Sequence, residues 1–212
     1  MNITRRFVSA ALIAAAALMV LLGTVWFSSV RNGYSQIANT ISELGETGGS
    51  HARLVAFGFF LPVGLLVWLA FWLLRHATSG RDVSLVSFPI FCLGTGYVVS
   101  AFFPCDPRAP LWGSWRTLVH NVAGLVDYGG TSLGFLLVCR CLAIRKMTAQ
   151  AAAFGAGGVL VFVCLAVLCV PSAFPVRGAV QRLAELVQFA AVFCVCLLLP
   201  TSEALNRRVS YQ

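Results

Sequence analysis

The chain contains seven acidic residues and three histidines, few enough to be read one at a time. Glu43, Glu46, Asp106, Asp127 and Glu185 fall at one end of the apolar segments, with His51 and His120 among them; Asp82 and Glu203 fall at the other end. Two carboxylates beside a histidine can do general acid/base work. A buried carboxyl donates the proton, and the imidazole or the second carboxylate accepts it. Asp106, His120 and Glu43 are therefore the catalytic candidates. Arg182, Glu185, Asn121, Asp127 and Ser42 are the candidates for holding a substrate, with Arg182 suited to a lipid phosphate or a carboxylate.

Each of these residues has a structural alternative. Arg182 is three residues from Glu185, so the two are neighbours on one helix face. It could pair with Glu185 or Asp106 simply to hold helices in register. Asp106 and Glu43 could hydrogen-bond loop backbone. Ser42 lies beside Glu43 and suggests a nucleophile with a distant histidine, but no Gly-x-Ser-x-Gly elbow surrounds it. A cap is the simpler role.

Metal chemistry finds little support. The sequence has no His-x-x-x-His, His-Glu-x-x-His or Cys-x-x-Cys spacing. No two histidines sit at matched depth for a haem. No metal and no cofactor is expected. Of the eight cysteines, Cys92, Cys139, Cys141, Cys164, Cys194 and Cys196 lie in apolar runs and read as small hydrophobes. Cys105 and Cys169 fall nearer the outer surface, where a bridge between them is conceivable.

The elements that must position these groups follow from composition. Hydrophobic residues make up 59% and charged residues 10% of the 212, and the mean hydropathy is +0.87. A soluble domain carries about a quarter charged residues, so the solvent for this surface is the bilayer. Six apolar segments reach spanning length, near 7–28, 54–74, 84–103, 118–141, 150–170 and 178–200. The expected fold is all-α: a polytopic membrane bundle of six transmembrane helices in one domain, 1–212. Thr4-Arg5-Arg6 ahead of an apolar run is reminiscent of a signal peptide, but Phe7–Phe27 is long enough to span and reads as an uncleaved first helix.

The short connections 75–83 and 142–149 carry Arg75, Arg81, Arg145 and Lys146. The tail carries Arg207 and Arg208, and Arg5 and Arg6 open the chain. The positive-inside rule then puts both termini in the cytoplasm of an inner-membrane protein. The outer loops 29–53, 104–117 and 171–177 are not free of arginine: Arg31, Arg53, Arg108, Arg116 and Arg177 lie there. The net charge of +8 is scattered over loops and helix ends, which argues against nucleic acid and for membrane lipids as partners. Trp26, Trp112 and Trp115 suit an aromatic belt. Gly130-x-x-x-Gly134 suits close helix packing within the bundle. Pro62 and Gly94-Thr95-Gly96 are the places where a helix could break, as transporters require.

Depth follows from helical rise. Asp127 is seven residues beyond His120, roughly 10 Å deeper on the same face. A polar pocket open to the outer leaflet is expected, lined by Glu43, Asp106, His120, Asn121, Asp127, Arg182 and Glu185. Ile41-Ser42-Glu43-Leu44-Gly45, Phe103-Pro104-Cys105-Asp106, His120 and Gly178-x-x-Gln181-Arg182 together resemble the signature of a six-helix prokaryotic membrane family, domain of unknown function family 998. The resemblance runs over nearly the whole chain. It implies fold and membrane location, carries no activity, and draws attention to Ser42, Glu43, Asp106, His120 and Arg182.

Three functional readings follow. In the first, the protein handles a lipid or other amphiphile entering from the outer leaflet. If it is an enzyme, it would be a hydrolase, transferase or proton-initiated cyclase acting on a lipid or terpenoid. The second reading is a small transporter, weakened by the scarcity of charge in the inner halves. The third is a structural or accessory protein whose polar cluster serves only the fold.

Overall fold

The computed structural model describes residues 3–77 and 81–198; Glu203, Arg207 and Arg208 lie outside the described residues, as do the side chains of Arg81 and Asp82. The described chain is helical, with no strand among those residues. Its elements are α1 (Ile3–Ser29), α2 (Ile41–Leu44), α3 (Ala52–His76), α4 (Arg81–Phe102), α5 (Trp115–Ile144), α6 (Thr148–Leu168) and α7 (Arg177–Leu198). These match the expected segments and extend most of them by a few residues. Capping supplies part of the extension: Ser114 opens α5 by accepting from the Thr117 N–H, so the helix begins before its apolar stretch.

Five of these helices are long and apolar enough to cross a membrane: α1, α3, α5, α6 and the stretch Pro171–Leu197 that contains most of α7. The described apolar part of α4, Val86–Phe102, is shorter. The protein is thus a multi-pass membrane protein. The long helices pack in the order α1, α3, α4, α5, α6, α7, and α7 returns against α1 to close a ring. Phe59, Phe135, Ile13, Leu93 and Val67 are fully buried inside it. Outward faces carry Leu21, Phe162 and Leu186, each more than half exposed, as hydrocarbon solvent requires.

Gly130 and Gly134 of α5 lie against Cys92 and Pro89 of α4, so close that a Cβ would collide. The small-residue stripe serves packing within the chain. Neither place where a helix could break ends its helix. α3 widens to a π-turn over Ala56–Phe60 just before Pro62 and continues. The wide turn rearranges the carbonyls of the turn before Pro62, which has no N–H to give. α4 runs unbroken through Gly94-Thr95-Gly96. A second π-turn, Leu125–Gly129, interrupts α5 and carries Asp127.

The three expected outer loops meet at one end. The Thr47 N–H donates to the Cys105 carbonyl at 2.8 Å, and the Ala179 N–H donates to the Ile37 carbonyl at 2.9 Å. At the opposite end Arg5 Nη1 donates to the His76 carbonyl at 3.0 Å, and Arg6 Nε to the Cys196 carbonyl at 3.2 Å.

Candidate functional site

The loop end is built by capping. Thr40-Ile41-Ser42-Glu43 has the Thr-x-x-Glu spacing of a capping box, and both reciprocal bonds form. Glu43 Oε1 accepts from the Thr40 N–H at 2.8 Å and from Thr40 Oγ1 at 3.0 Å. Its Oε2 accepts from Asn39 Nδ2 at 2.7 Å. Glu43 is buried, and both of its oxygens serve the turn that presents Ser42. From α7, Gln181 Oε1 accepts from the Ile41 N–H at 2.6 Å, tying the turn to the bundle.

Ser42 meets His120 across 78 residues of sequence, with Oγ 3.0 Å from Nε2. His120 Nδ1 is 2.9 Å from the Phe103 carbonyl. A carbonyl only accepts, so Nδ1 carries the proton and Nε2 is the acceptor that the Ser42 hydroxyl faces. A hydroxyl, an imidazole nitrogen free to accept from it and a carbonyl that orients the ring are thereby joined.

Beneath this pair lies a cavity of about 40 Å³, whose lining includes Ser42, His120, Tyr97, Asp127, Tyr128 and Glu185. His120 and Asp127 share one face of α5, as their seven-residue spacing demands. Asp127 fits because Gly96 of α4 has no Cβ, which would strike the carboxylate. Gln188 Nε2 donates to Asp127 Oδ1 at 2.8 Å and to Thr131 Oγ1 at 2.6 Å. Glu185 is held by two phenols: Tyr97 donates to Oε2 at 2.8 Å and Tyr128 to Oε1 at 2.7 Å.

The remaining candidates lie away from the cavity. Asp106 Oδ2 accepts from the Ser114 N–H at 2.7 Å and Oδ1 from Ser114 Oγ at 2.9 Å. The Ser114 backbone N–H, then the Ser114 and Thr117 hydroxyls, hold its carboxyl below the ordinary value of 3.8. Asn121 Nδ2 donates to the Pro110 and Leu111 carbonyls at 3.0 and 2.9 Å.

Arg182 clamps the first loop. Nη1 donates to the Gln36, Asn39 and Gly178 carbonyls at 2.7, 2.9 and 2.9 Å, and Nη2 to the Tyr34 hydroxyl at 2.8 Å. Gly178 permits this, since a Cβ there would collide with the Asn39 and Gln36 carbonyls. Arg182 makes no ion pair with Glu185 or Asp106; the ion pair found among the described residues is Arg31 with Glu46. Burial pushes the Tyr34 phenol up from its ordinary value, with Arg182 opposing. Arg177 clamps the second loop, Nη2 donating to the Ala109 carbonyl at 2.9 Å.

His51 is paired with Ser50 and does not line the cavity. Cys105 and Cys169 are both free. The Cys105 Sγ lies 3.5 Å from the Ser42 carbonyl, and burial pushes its thiol up to about 12.

Sequence reasoning missed Tyr97, Tyr128 and Gln188. One signal was present: Gln181, Glu185 and Gln188 recur at helical spacing on one face of α7. Tyr97 gives no such sign, because a tyrosine in an apolar helix reads as packing.

No curated protein and no solved structure matches the chain. The family model described as protein of unknown function (DUF998) matches residues 8–198. That span takes in the Ser42 turn, both arginine clamps and every residue named in the cavity. The chain therefore belongs to the DUF998 family.

Proposed function

We propose that the protein acts on a lipid or other amphiphile at the outer membrane face, with Ser42 as nucleophile and His120 as general base in ester hydrolysis or transfer. The observation that carries this reading is the Ser42–His120 contact, with the tautomer set by the Phe103 carbonyl. Ser42 Oγ attacks the ester carbon while its proton passes to His120 Nε2. The imidazolium then returns that proton to the departing alkoxide, leaving an acyl-serine for water or a second alcohol to resolve. A backbone carbonyl stands where the Ser-His-Asp arrangement has a carboxylate.

The membrane setting is part of the proposal. α4, with 22 residues, is about 33 Å long by helical rise and matches a hydrocarbon core of about 30 Å. It packs between α3 and α5, which favours six transmembrane helices in one domain. Arg5 and Arg6 bond at the end opposite the site, while Arg31, Arg177 and Arg182 are tied to loop groups at the site end. This division favours an inner-membrane protein with both termini in the cytoplasm. α5, which carries His120 and Asp127, also exposes Val122 and Leu125, so a lipid-borne substrate could reach the site laterally.

The test is covalent labelling in nanodiscs with a lipophilic fluorophosphonate, read by intact mass and peptide mapping. We expect one adduct on Ser42, absent in Ser42→Ala and at least about a hundredfold slower in His120→Ala. A folded wild type that takes no label, or a label that survives Ser42→Ala, would sink the proposal.

A further inference from the structure

We propose that Gln181 is a further catalytic residue of this site, its side-chain Nε2–H meeting the oxyanion that forms when Ser42 attacks an ester carbonyl. The inference deepens the reading of Ser42 as nucleophile and rests on it.

The first observation is orientation. Gln181 is buried, and it lines the same cavity as Ser42 and His120. By shape alone its amide could face either way, but Oε1 accepts from the Ile41 N–H at 2.6 Å. A backbone N–H only donates, so the oxygen must hold that position and Nε2 the opposite one. Ile41 immediately precedes Ser42, so the amide is fixed one residue from the nucleophile. Tyr128, whose hydroxyl donates to Glu185 Oε1 at 2.7 Å, lies within side-chain hydrogen-bonding reach of Gln181. An amide nitrogen carries two hydrogens, and Tyr128 accounts for one of them.

The second observation is that the neighbouring donors are committed. A nucleophile elbow offers the N–H of the residue after the serine. Here the Glu43 N–H donates to the Thr40 carbonyl at 3.1 Å and lies 3.4 Å from Thr40 Oγ1, so the capping box that presents Ser42 uses that group. Of the other donors in the lining, the Tyr97 and Tyr128 hydroxyls give to Glu185, and the His120 Nδ1–H gives to the Phe103 carbonyl. The Ser100 hydroxyl also lines the cavity, but a hydroxyl rotates. Gln181 is a donor held in place before a substrate arrives, as electrostatic stabilisation of a transition state requires.

The chemistry follows from these two observations. As Ser42 Oγ bonds to the carbonyl carbon, its proton passes to His120 Nε2 and the π electrons move onto the carbonyl oxygen. That oxygen, now negative, accepts from Gln181 Nε2–H. On collapse the electrons re-form the C=O bond, the ester C–O bond breaks, and the imidazolium protonates the departing alkoxide. The charge on oxygen develops only on the way to the tetrahedral intermediate, so the bond lowers the barrier more than it tightens substrate binding.

The experiment is labelling of Gln181→Glu, as the purified full chain in nanodiscs, with the lipophilic fluorophosphonate, whose phosphoryl oxygen gains negative charge in the same way. The variant keeps an acceptor for the Ile41 N–H and loses the amide donor, so a role confined to holding the turn would leave the rate unchanged. We expect labelling of Ser42 at least about a hundredfold slower than in wild type; labelling at the wild-type rate overturns the proposal. A second measurement needs no variant and decides alone should Gln181→Glu not fold. Wild type is labelled with the fluorophosphonate and with its P=S counterpart. Sulfur is a weak acceptor, so the preference for P=O should exceed that of free hydroxide at least about tenfold. A ratio equal to that of hydroxide overturns the proposal. The two failures are distinct: a wild type that takes no label removes Ser42 as nucleophile and Gln181 with it, whereas a wild type labelled on Ser42 without these effects removes Gln181 alone.

Discussion

The loop cap and the cavity beneath it use the same residue types for opposite ends. In the cap, Glu43 and Asp106 take hydrogen bonds from backbone N–H groups, hydroxyls and an amide. Arg182 and Arg177 give theirs to backbone carbonyls. Each charge there closes a turn or pins a loop. In the cavity, Asp127 and Glu185 are oriented by one amide and two phenols, with no Arg or Lys in the lining. A carboxylate saturated by its own loop builds structure; one oriented but unsaturated in an apolar medium keeps acceptor capacity that a further donor can meet. Identity alone does not separate the two, because the distinction lies in what each oxygen already accepts.

Substitutions in the cap should therefore move stability. The largest effect is expected from Arg182→Ala. It removes the guanidinium donors from the Gln36, Asn39 and Gly178 carbonyls and the Tyr34 hydroxyl, of which the Asn39 carbonyl keeps only the Tyr34 O–H, at a cost of about 2–3 kcal/mol. Melting in detergent would register this directly, and an unchanged melting temperature would break the comparison. Glu43→Ala should cost less, about 1–2 kcal/mol, for the capping box alone. It should also slow fluorophosphonate labelling, because the turn that aims Ser42 loosens. Labelling at the wild-type rate would mean that the Ser42–His120 geometry does not depend on the cap.

The smallest effect belongs to Asp106 and depends on pH. Its folded-state carboxyl lies below the ordinary value of 3.8, so its contribution is complete above that value. It disappears as pH falls through the lower folded value. Wild type should lose melting temperature below about pH 4 more steeply than Asp106→Asn does. Parallel acid profiles would remove Asp106 from the cap's account.

Much of the cap was open to reading from the chain. Thr40-x-x-Glu43 is a capping box by spacing, and cap roles for Asp106 and Glu43 follow from their place in loops. What sequence could not decide was whether Arg182 met Glu185, Asp106 or backbone. Three-residue spacing makes Glu185 a possible partner, but Arg182 extends to the first loop and Glu185 turns into the ring. The two side chains diverge because a loop of bare carbonyls needs donors more than a carboxylate already held by two tyrosines.

The chain by itself determined the solvent, the helices and the end at which polar groups gather. Each of these depends on local composition or on the 1.5 Å rise and 3.6-residue turn, so each is contained in a short window. Placing His120 above Asp127 on one face belongs to the same class. Only the tertiary structure decided that Ser42 meets His120 from 78 residues away, that Tyr97 and Tyr128 from two helices close on Glu185, and that the cavity lining holds no Arg or Lys. Those facts depend on how α4, α5 and α7 sit against one another. That packing is set by small surfaces such as Gly96 against Asp127, and no periodicity along a single helix encodes it.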